Sequence, residues 1–230
     1  MIPEIQTGRV FDNIKKSALI SGRKQSDVTV IAVTKAFPVS LMNSAYEAGF
    51  SVLGESRVQE TEKKLPDFNY LHQSELHLIG HLQSNKVKKA VEIYDVIQSV
   101  DSIKIAGKIN RLAAQIKKKQ KIFLQINTGN DPAKYGFLKE ETLMVTSEII
   151  EFQNVDLLGL MVVAPLTNDE AILRKVFSET RILRDKIKDK LCPTCKMLSM
   201  GMSGDFSIAI EEGATHVRIG SALFGERPKW

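Results

Sequence analysis

Short apolar runs rich in β-branched residues alternate with amphipathic segments along almost the whole chain. Continuous short apolar runs predict buried strands, and apolar residues spaced three or four apart predict helices. The predicted strands span residues 27–33, 50–53, 75–79, 94–98, 121–126, 157–163, 197–200 and 216–219. The helices that follow them span residues 40–48, 57–65, 84–91, 102–118, 139–152, 169–188, 205–212 and 222–224.

Eight strand–helix units, preceded by a helix at about residues 8–21, predict an α/β fold with parallel strands and right-handed crossovers. Eight such units make a (β/α)8 TIM barrel, and an open doubly wound sheet is the alternative. Either architecture needs strands that are apolar on both faces, as most of these strands are. We therefore expect a single domain over residues 1–230, with the barrel at about residues 27–225 and the functional site at the carboxyl ends of its strands.

Composition excludes several classes of protein. The 230 residues are 43% hydrophobic and 26% charged, and no apolar run reaches the length of about 20 residues that a bilayer span needs. The amino terminus does not resemble a secretory signal, and two cysteines do not make a disulfide scaffold, so we expect a cytoplasmic protein without membrane contact. The net charge of +5 fits solvated helix faces or an anionic partner, but no nucleic-acid motif appears, so we expect no nucleic-acid partner.

Lys35 follows the first predicted strand, which is largely apolar. An ammonium group at the mouth of an apolar barrel loses hydration, which favours its neutral amine form. A neutral amine attacks an aldehyde and forms a Schiff base. Position alone leaves open a lysine that simply extends from a strand end into solvent.

Two glycine–serine segments lie at the ends of the seventh and eighth predicted strands, at Ser199–Gly204 and Gly220–Ala222. Glycine allows the backbone to approach an anion closely, and barrels often bind phosphate in these two loops. Ser203 and Ser221 also lie just before predicted helices, where ordinary helix capping is the alternative role.

Arg218 lies in the last predicted strand, near its carboxyl end. Its guanidinium can pair with a phosphate, or face a heteroaromatic nitrogen and disfavour protonation of that nitrogen. An internal ion pair with Glu55 is the structural alternative.

Two other motifs suggest metal or redox chemistry. His77 and His81 are four residues apart, but a strand separates such residues by about 13 Å, too far for one metal ion. We therefore expect His77 to be packed and His81 to contact a ligand. Cys192 and Cys195 form an isolated CxxC before the seventh predicted strand, at the end of the barrel that supports stability.

Several segments together resemble the pyridoxal phosphate homeostasis proteins. They extend from residue 31 to residue 225, and the combination is far more specific than any one segment. The segments are residues 31–35 (IAVTK), 54–60 (GESRVQE), 77–86 (HLIGHLQSNK), 136–137 (GF), 159–161 (GLM), 198–203 (LSMGMS) and 217–225 (VRIGSALFG).

The resemblance implies a barrel similar to the amino-terminal domain of bacterial alanine racemase, with pyridoxal 5′-phosphate held as an aldimine on Lys35. It implies phosphate contacts from Ser203 and the Gly220–Ser221 turn, and Arg218 near the pyridine nitrogen. It also implies a monomer, with pyridoxal-phosphate-dependent apoenzymes as candidate recipients; the spacing of His77 and His81 is the reason that we expect no metal. The cofactor-binding residues expected on this basis are Lys35, Ser56, His81, Asn127, Met202, Ser203, Arg218, Gly220 and Ser221. Ser56 departs from the family's usual asparagine, which puts a contact at that position in doubt.

Two functions remain open at this point. A racemase needs a base on each face of the substrate, and in the racemase pattern the second base is a tyrosine from a carboxyl-terminal domain. The chain ends at Trp230, so we expect that domain to be missing, and Tyr135 is the nearest tyrosine to the strand ends. We therefore expect a non-enzymatic protein that buffers or delivers the cofactor, with a racemase-like enzyme as the alternative.

Overall fold

Eight parallel strands close into a barrel in the computed structural model, which describes residues 4–129 and 134–225. The barrel strands are β1 (Thr29–Val33), β2 (Val52–Glu55), β3 (Glu75–Leu78), β4 (Val96–Val100), β5 (Gln120–Asn127), β7 (Val155–Val162), β8 (Met197–Met202) and β9 (His216–Ile219). Each pairs with the next, and β9 returns to β1. A short strand, β6 (Phe137–Leu138), pairs with the end of β5. The predicted (β/α)8 barrel is confirmed.

Helices cover the outside of this barrel. They are α1 (Glu4–Ile20), α2 (Val39–Glu47), α3 (Val58–Lys64), α4 (Val87–Ile93), α5 (Ile103–Gln115), α6 (Thr142–Ile149), α7 (Glu170–Lys190), α8 (Phe206–Glu211) and α9 (Ser221–Phe224). Helix α1 precedes the barrel and packs against α8 and α9. Across the described ranges, none of these helices is long and apolar enough to cross a membrane.

Helix α5 illustrates how the sequence determines these elements. The Ser102 hydroxyl accepts a hydrogen bond from the Ile105 amide at 3.3 Å and so caps the first turn. Ile105, Ile109 and Ala113 recur at a spacing of four and are buried against the barrel. The helix ends earlier than predicted because Lys117 adopts a left-handed conformation, with φ of 54°.

The barrel interior is more polar than the strand sequences predicted. Phe123 and Met161 form part of a small buried apolar cluster there. The hydroxyl of Ser199 on β8 also lies 2.6 Å from the side-chain oxygen of Gln98 on β4. Because β4 and β8 are not neighbours in the sheet, this hydrogen bond crosses the interior. The expectation that most strands are apolar on both faces is therefore wrong for β4 and β8.

The boundaries of two other elements also differ from prediction. Strand β4 begins and ends two residues later than predicted, so Ser99 is buried within the strand rather than placed after it. The helix predicted at residues 139–152 is confined to α6, because β6 and a turn occupy the chain before it. Neither difference changes the order of the strands around the barrel.

His216 should make stability depend on pH. Its imidazole is buried beside Phe123 and His77, and burial lowers its pKa to about 4. In the unfolded chain the imidazole takes up a proton as pH falls below about 6.5, whereas in the folded chain it does so only near its lowered pKa. Protonation between these values therefore stabilises the unfolded chain. Through this group, the free energy of unfolding of the original protein should fall by about 2 kcal/mol between pH 7 and pH 5. The His216→Gln variant should not show this part of the fall.

Urea unfolding at both pH values measures this effect. Exposed His72 supplies the matched control, and His72→Gln should leave the pH dependence unchanged. Equal pH dependence in the His216→Gln variant and the original protein would contradict the role given to His216.

Candidate functional site

Lys35 lies at the carboxyl end of β1, over the mouth of the barrel. Ile31 and Val33 lie on one face of β1, where both side chains pack against Gly54 of β2. Because side chains alternate between the two faces of a strand, Lys35 continues on that same face. Lys35 is half-buried and borders a cavity of about 550 Å³. The next residue, Ala36, has a left-handed φ of 62°, so the chain turns sharply immediately after the lysine.

A buried group of charges holds this turn from below, and we name it the Lys64 cluster. The Lys64 ammonium donates to Glu55 at 2.9 Å and to the carbonyl of Thr34 at 3.1 Å, and pairs with Glu60 at 2.7 Å. The Thr34 hydroxyl donates to Glu55 at 2.7 Å. The Ala36 amide donates to Glu60 at 2.6 Å. The two neighbours of Lys35 are thus both linked to the Lys64 ammonium group, Thr34 directly and Ala36 through Glu60.

The two carboxylates of the Lys64 cluster have different environments. Burial raises the pKa of Glu55, although Lys64 and the Thr34 hydroxyl oppose this. Burial also opposes ionisation of Glu60, but hydrogen bonds from Lys64 and from the Ala36 amide outweigh it and lower the pKa of that group. The Glu60 carboxylate is therefore held in its charged form by Lys64 and by the backbone amide that follows Lys35.

Ser56 and His81 border the same cavity as Lys35. Strands β2 and β3 approach so closely there that a Cβ on Gly80 would lie 2.3 Å from the Ser56 carbonyl oxygen, so only glycine fits. The His81 ring hydrogen-bonds Asp101 at 2.9 Å and stacks on Tyr135 with ring centroids 3.7 Å apart. This aromatic pair lies at the barrel mouth.

Ser203 and the turn after β9 meet at the same end of the barrel. The Ser203 hydroxyl oxygen accepts hydrogen bonds from the amides of Gly220 and Ala222, both at 3.2 Å. Gly220 packs against Val33 of β1, so this turn adjoins the strand that carries Lys35. Ser221 is exposed between the two amides. Both amides bond the serine oxygen here, so an anion at this turn would take the Ser203 proton or replace that oxygen as the acceptor of the two amides.

Met202 belongs to the sharp turn that leads into Ser203. Gly201 has φ of 92°, and a Cβ there would lie 2.6 Å from that of Ala209, so this position also needs glycine. The Met202 amide donates to the Asp205 carboxylate at 2.5 Å. Burial raises the pKa of Asp205, which this hydrogen bond partly offsets. The Met202 side chain is half-exposed beside the turn.

Arg218 lies inside the barrel, two residues before Gly220. Its guanidinium donates to the carbonyl of Val162 at 2.8 Å and to the carbonyl and hydroxyl of Ser199, both at 2.8 Å. Burial lowers its pKa to about 10, so it remains a cation at neutral pH. The alternative of an ion pair with Glu55 is wrong, because Glu55 is bonded to Lys64 and Thr34.

Asn127 lies apart from the cavity that Lys35 borders. It ends β5 and borders a second cavity of about 550 Å³, next to Val163 and Lys175. Its side-chain amide donates to the carbonyl of Lys134 at 3.4 Å. The structure therefore brings Lys35, Ser56 and His81 together around one cavity, and leaves Asn127 beside another.

The remaining motifs have other surroundings. His77 lies in β3, hydrogen-bonded to Glu75 and Gln98, and no group of residues suited to a metal occurs in the described ranges. Cys192 and Cys195 are free thiols before β8, and burial raises the pKa of Cys195 to about 12. A thiol with that pKa is a poor nucleophile at neutral pH.

Comparisons with known proteins identify the family of this chain. The sequence model described as "Alanine racemase, N-terminal domain" matches residues 5–228. A pyridoxal phosphate homeostasis protein of Aquifex aeolicus is 36% identical over 219 residues, covering 95% of this chain and 96% of that protein. One from Pasteurella multocida is 35% identical, covering 99% and 98%. The chain belongs to the pyridoxal phosphate homeostasis protein family.

Solved structures related to this family show the same fold. PipY of Synechococcus elongatus, solved with pyridoxal phosphate bound, has a TM-score of 0.82 at 35% identity, covering 92% of this chain and all of that one. An alanine racemase of Clostridium difficile has a TM-score of 0.75 at 18% identity, covering 95% of this chain and 56% of that one. The second likeness concerns the barrel fold alone.

Sequence patterns did not reveal the residues that support this site. The predicted helix at residues 57–65 contains Glu60 and Lys64, and the predicted strand at residues 94–98 ends at Gln98, but none of the three carried a signal of a role in the site. Ser199 was assigned to the glycine–serine segment of the seventh strand and not to a support for Arg218. One signal was present, because Glu75 and His77 alternate with leucines in β3, which is typical of a strand with one polar face. The charges of α3 carried no such signal, since their burial depends on where the helix packs.

Removing the ammonium group of Lys64 should destabilise the protein. Lys64→Met leaves the Glu55 carboxylate buried without its cation, and loss of one member of a buried ion pair costs about 3–5 kcal/mol. Lys63 is exposed on the same helix, so Lys63→Met should change stability by less than about 0.5 kcal/mol. Urea unfolding of both variants measures the difference. Equal stability of the two would show that the Lys64 cluster does not hold the turn after β1.

Proposed function

We propose that this chain binds pyridoxal 5′-phosphate at the carboxyl ends of β1, β8 and β9. The cofactor supplies an aldehyde that reacts with amines, on a heteroaromatic ring that also carries a phosphate. In this proposal Lys35 holds the aldehyde through its amine, and Ser203 with the Gly220 and Ala222 amides holds the phosphate. The carrying observation is that the two amides converge on the Ser203 hydroxyl beside the strand that bears Lys35.

The residues present fit this cofactor. The donors around Ser203 have the chemistry of a phosphate site, and Gly220 approaches Val33 closely. Arg218 lies directly before this turn and supplies a buried positive charge, which disfavours protonation of a ring nitrogen placed against it. Pyridoxal phosphate, the cofactor named in the solved PipY structure, carries the aldehyde, the ring nitrogen and the phosphate that these residues would bind.

We infer that the protein carries the cofactor rather than using it for turnover. Its relatives are named for homeostasis of pyridoxal phosphate. His81 at the cavity edge is about one-third exposed and Lys35 is only half-buried, so water reaches the site and weakens electrostatic catalysis. In this proposal residues 1–230 form one cofactor-binding domain, a cytoplasmic monomer that buffers pyridoxal phosphate or passes it to apoenzymes.

Racemisation of amino acids is the second candidate function. It is favoured by Tyr135, which lies at the barrel mouth and stacks on His81. Racemisation needs a base on each face of the substrate, and Lys35 with Tyr135 are the available pair. We expect no turnover of amino acids by the loaded protein above that of free cofactor. Turnover that Tyr135→Phe abolishes would support the enzyme instead.

Reduction with borohydride tests the role of Lys35. The purified protein loaded with pyridoxal phosphate should show an absorption band near the visible edge, and peptide mapping after reduction should find the cofactor on the peptide that contains Lys35. Lys35→Ala should lose the band and the adduct but retain some cofactor through the phosphate. Lys86 borders the same cavity, so Lys86→Ala is the matched control and should keep both. A protein that takes up no cofactor would overturn the proposal.

Loss of the Ser203 hydroxyl should weaken cofactor binding. A hydrogen bond to a charged group is worth about 1.5–3 kcal/mol, so we expect Ser203→Ala to bind pyridoxal phosphate about 10- to 150-fold more weakly. The Ser178 hydroxyl on α7 donates to the Lys175 carbonyl of its own helix, away from the site, so Ser178→Ala should bind normally. Equilibrium dialysis measures both affinities. An unchanged affinity of the Ser203→Ala variant would remove Ser203 from the site.

A further inference from the structure

A chain of four hydrogen bonds crosses the barrel interior from Glu75 to Arg218. The Glu75 carboxylate and His77 Nε2 are 2.5 Å apart, and His77 Nδ1 and Gln98 Nε2 are 2.7 Å apart. Gln98 Oε1 and the Ser199 hydroxyl are 2.6 Å apart, and the Arg218 guanidinium lies 2.8 Å from that hydroxyl. Glu75 is partly exposed at the start of β3, whereas His77, Gln98, Ser199 and Arg218 are buried. We name this chain the interior relay.

The chemistry of its end residue fixes the direction of the interior relay. A guanidinium only donates, so the Ser199 oxygen accepts from Arg218 and its single proton goes to Gln98 Oε1. Gln98 then presents its NH2 group to His77 Nδ1, which must be the unprotonated nitrogen. The ring proton is therefore on Nε2 and is donated to the Glu75 carboxylate. Every donor points from the cation toward the anion.

This direction matters because the hydrogen bonds of the buried Arg218 guanidinium go to neutral acceptors, while the Asp205 carboxylate attracts the guanidinium without bonding it in the described ranges. Those acceptors are the Val162 carbonyl and the carbonyl and hydroxyl of Ser199. A buried charge is costly unless hydrogen bonds and oriented dipoles compensate it. Hydrogen bonds in series polarise one another, so the relay connects Arg218 to a carboxylate that it does not touch.

We propose that Gln98, His77 and Glu75 are positioning residues for Arg218, and that the interior relay holds its guanidinium in place beneath the Gly220 turn. This inference rests on the proposed function, in which Arg218 lies against the ring of the cofactor. The relay thus supports the site from the opposite end of the barrel, through residues that do not border the cavity of Lys35.

The histidine ring reports on the relay without any cofactor. Nitrogen NMR of the protein labelled at histidine should show His77 as the neutral tautomer protonated on Nε2. Ser199→Ala removes the partner that fixes the orientation of Gln98, so the His77 Nδ1 signal should shift although Ser199 does not touch the ring. Gln98→Glu sets a carboxylate against each ring nitrogen, so both nitrogens should then carry a proton. A doubly protonated or Nδ1-protonated ring in the original protein, or an unchanged signal in the Ser199→Ala variant, would overturn the relay.

Cofactor binding tests the positioning role itself. We expect Gln98→Leu to bind pyridoxal phosphate about three- to tenfold more weakly, the range for one lost hydrogen bond, and to shift the absorption band of the bound cofactor. The Gln98→Glu variant keeps the shape of the side chain and should also shift the band. It replaces the leucine variant in this test if the leucine variant does not fold. Asp156 lies near the start of β7 outside the relay, so Asp156→Asn should change neither property. Unchanged affinity and spectrum in the Gln98 variants would overturn the positioning role.

The two experiments separate this inference from the proposed function. If the His77 tautomer responds as expected but the original protein binds no cofactor, the relay stands and the proposed function fails. If the cofactor binds and the tautomer does not respond, the proposed function stands and the relay fails.

Discussion

Closure of the barrel by the pairing of β1 with β9 is the constraint on which the site depends. The register sets Thr29 opposite His216 and Ala32 opposite Ile219. Because both strands run in the same direction, the residues that follow them emerge side by side. This is why Lys35, near the beginning of the chain, adjoins Gly220, near its end. An open sheet with the same elements would leave the amine and the phosphate-type turn at separate edges.

The molecule stabilises two buried cations near this site in different ways. Lys64 is neutralised by direct contact with two carboxylates. These contacts make the turn after β1 rigid, but they leave little electrostatic field outside the cluster. Arg218 instead donates to neutral oxygens, with the Asp205 carboxylate attracting it through space and the Glu75 carboxylate at the far end of the interior relay. Neither carboxylate bonds the guanidinium directly in the described ranges, so part of its positive charge remains felt at the mouth. An anionic ligand at Ser203 benefits from that field, whereas a direct ion pair would have cancelled it.

The sequence allowed the fold and the ends of the strands to be predicted, because hydrophobic periodicity and glycine turns are local signals. It located Lys35, Ser203 and the Gly220 turn at one end of the barrel for the same reason. It did not reveal Lys64 or Gln98 as support for the site. Their roles depend on contacts between strands and helices far apart in sequence, and a lysine near the end of a helix normally indicates an exposed surface. Arg218 was placed at the correct strand, but its partners depend on a crossing of the barrel that no local pattern encodes.

Rigidity and openness are divided between the two sides of the site. Below the mouth, the Lys64 cluster and the interior relay fix the backbone around Lys35 and the guanidinium of Arg218. Above it, the edge formed by His81 and Tyr135 remains in contact with water. An enzyme that stabilises a charged transition state gains from excluding water, whereas a carrier must let its ligand leave or be attacked by another amine. A site that is preorganised below and open above therefore favours capture and release of the cofactor over turnover.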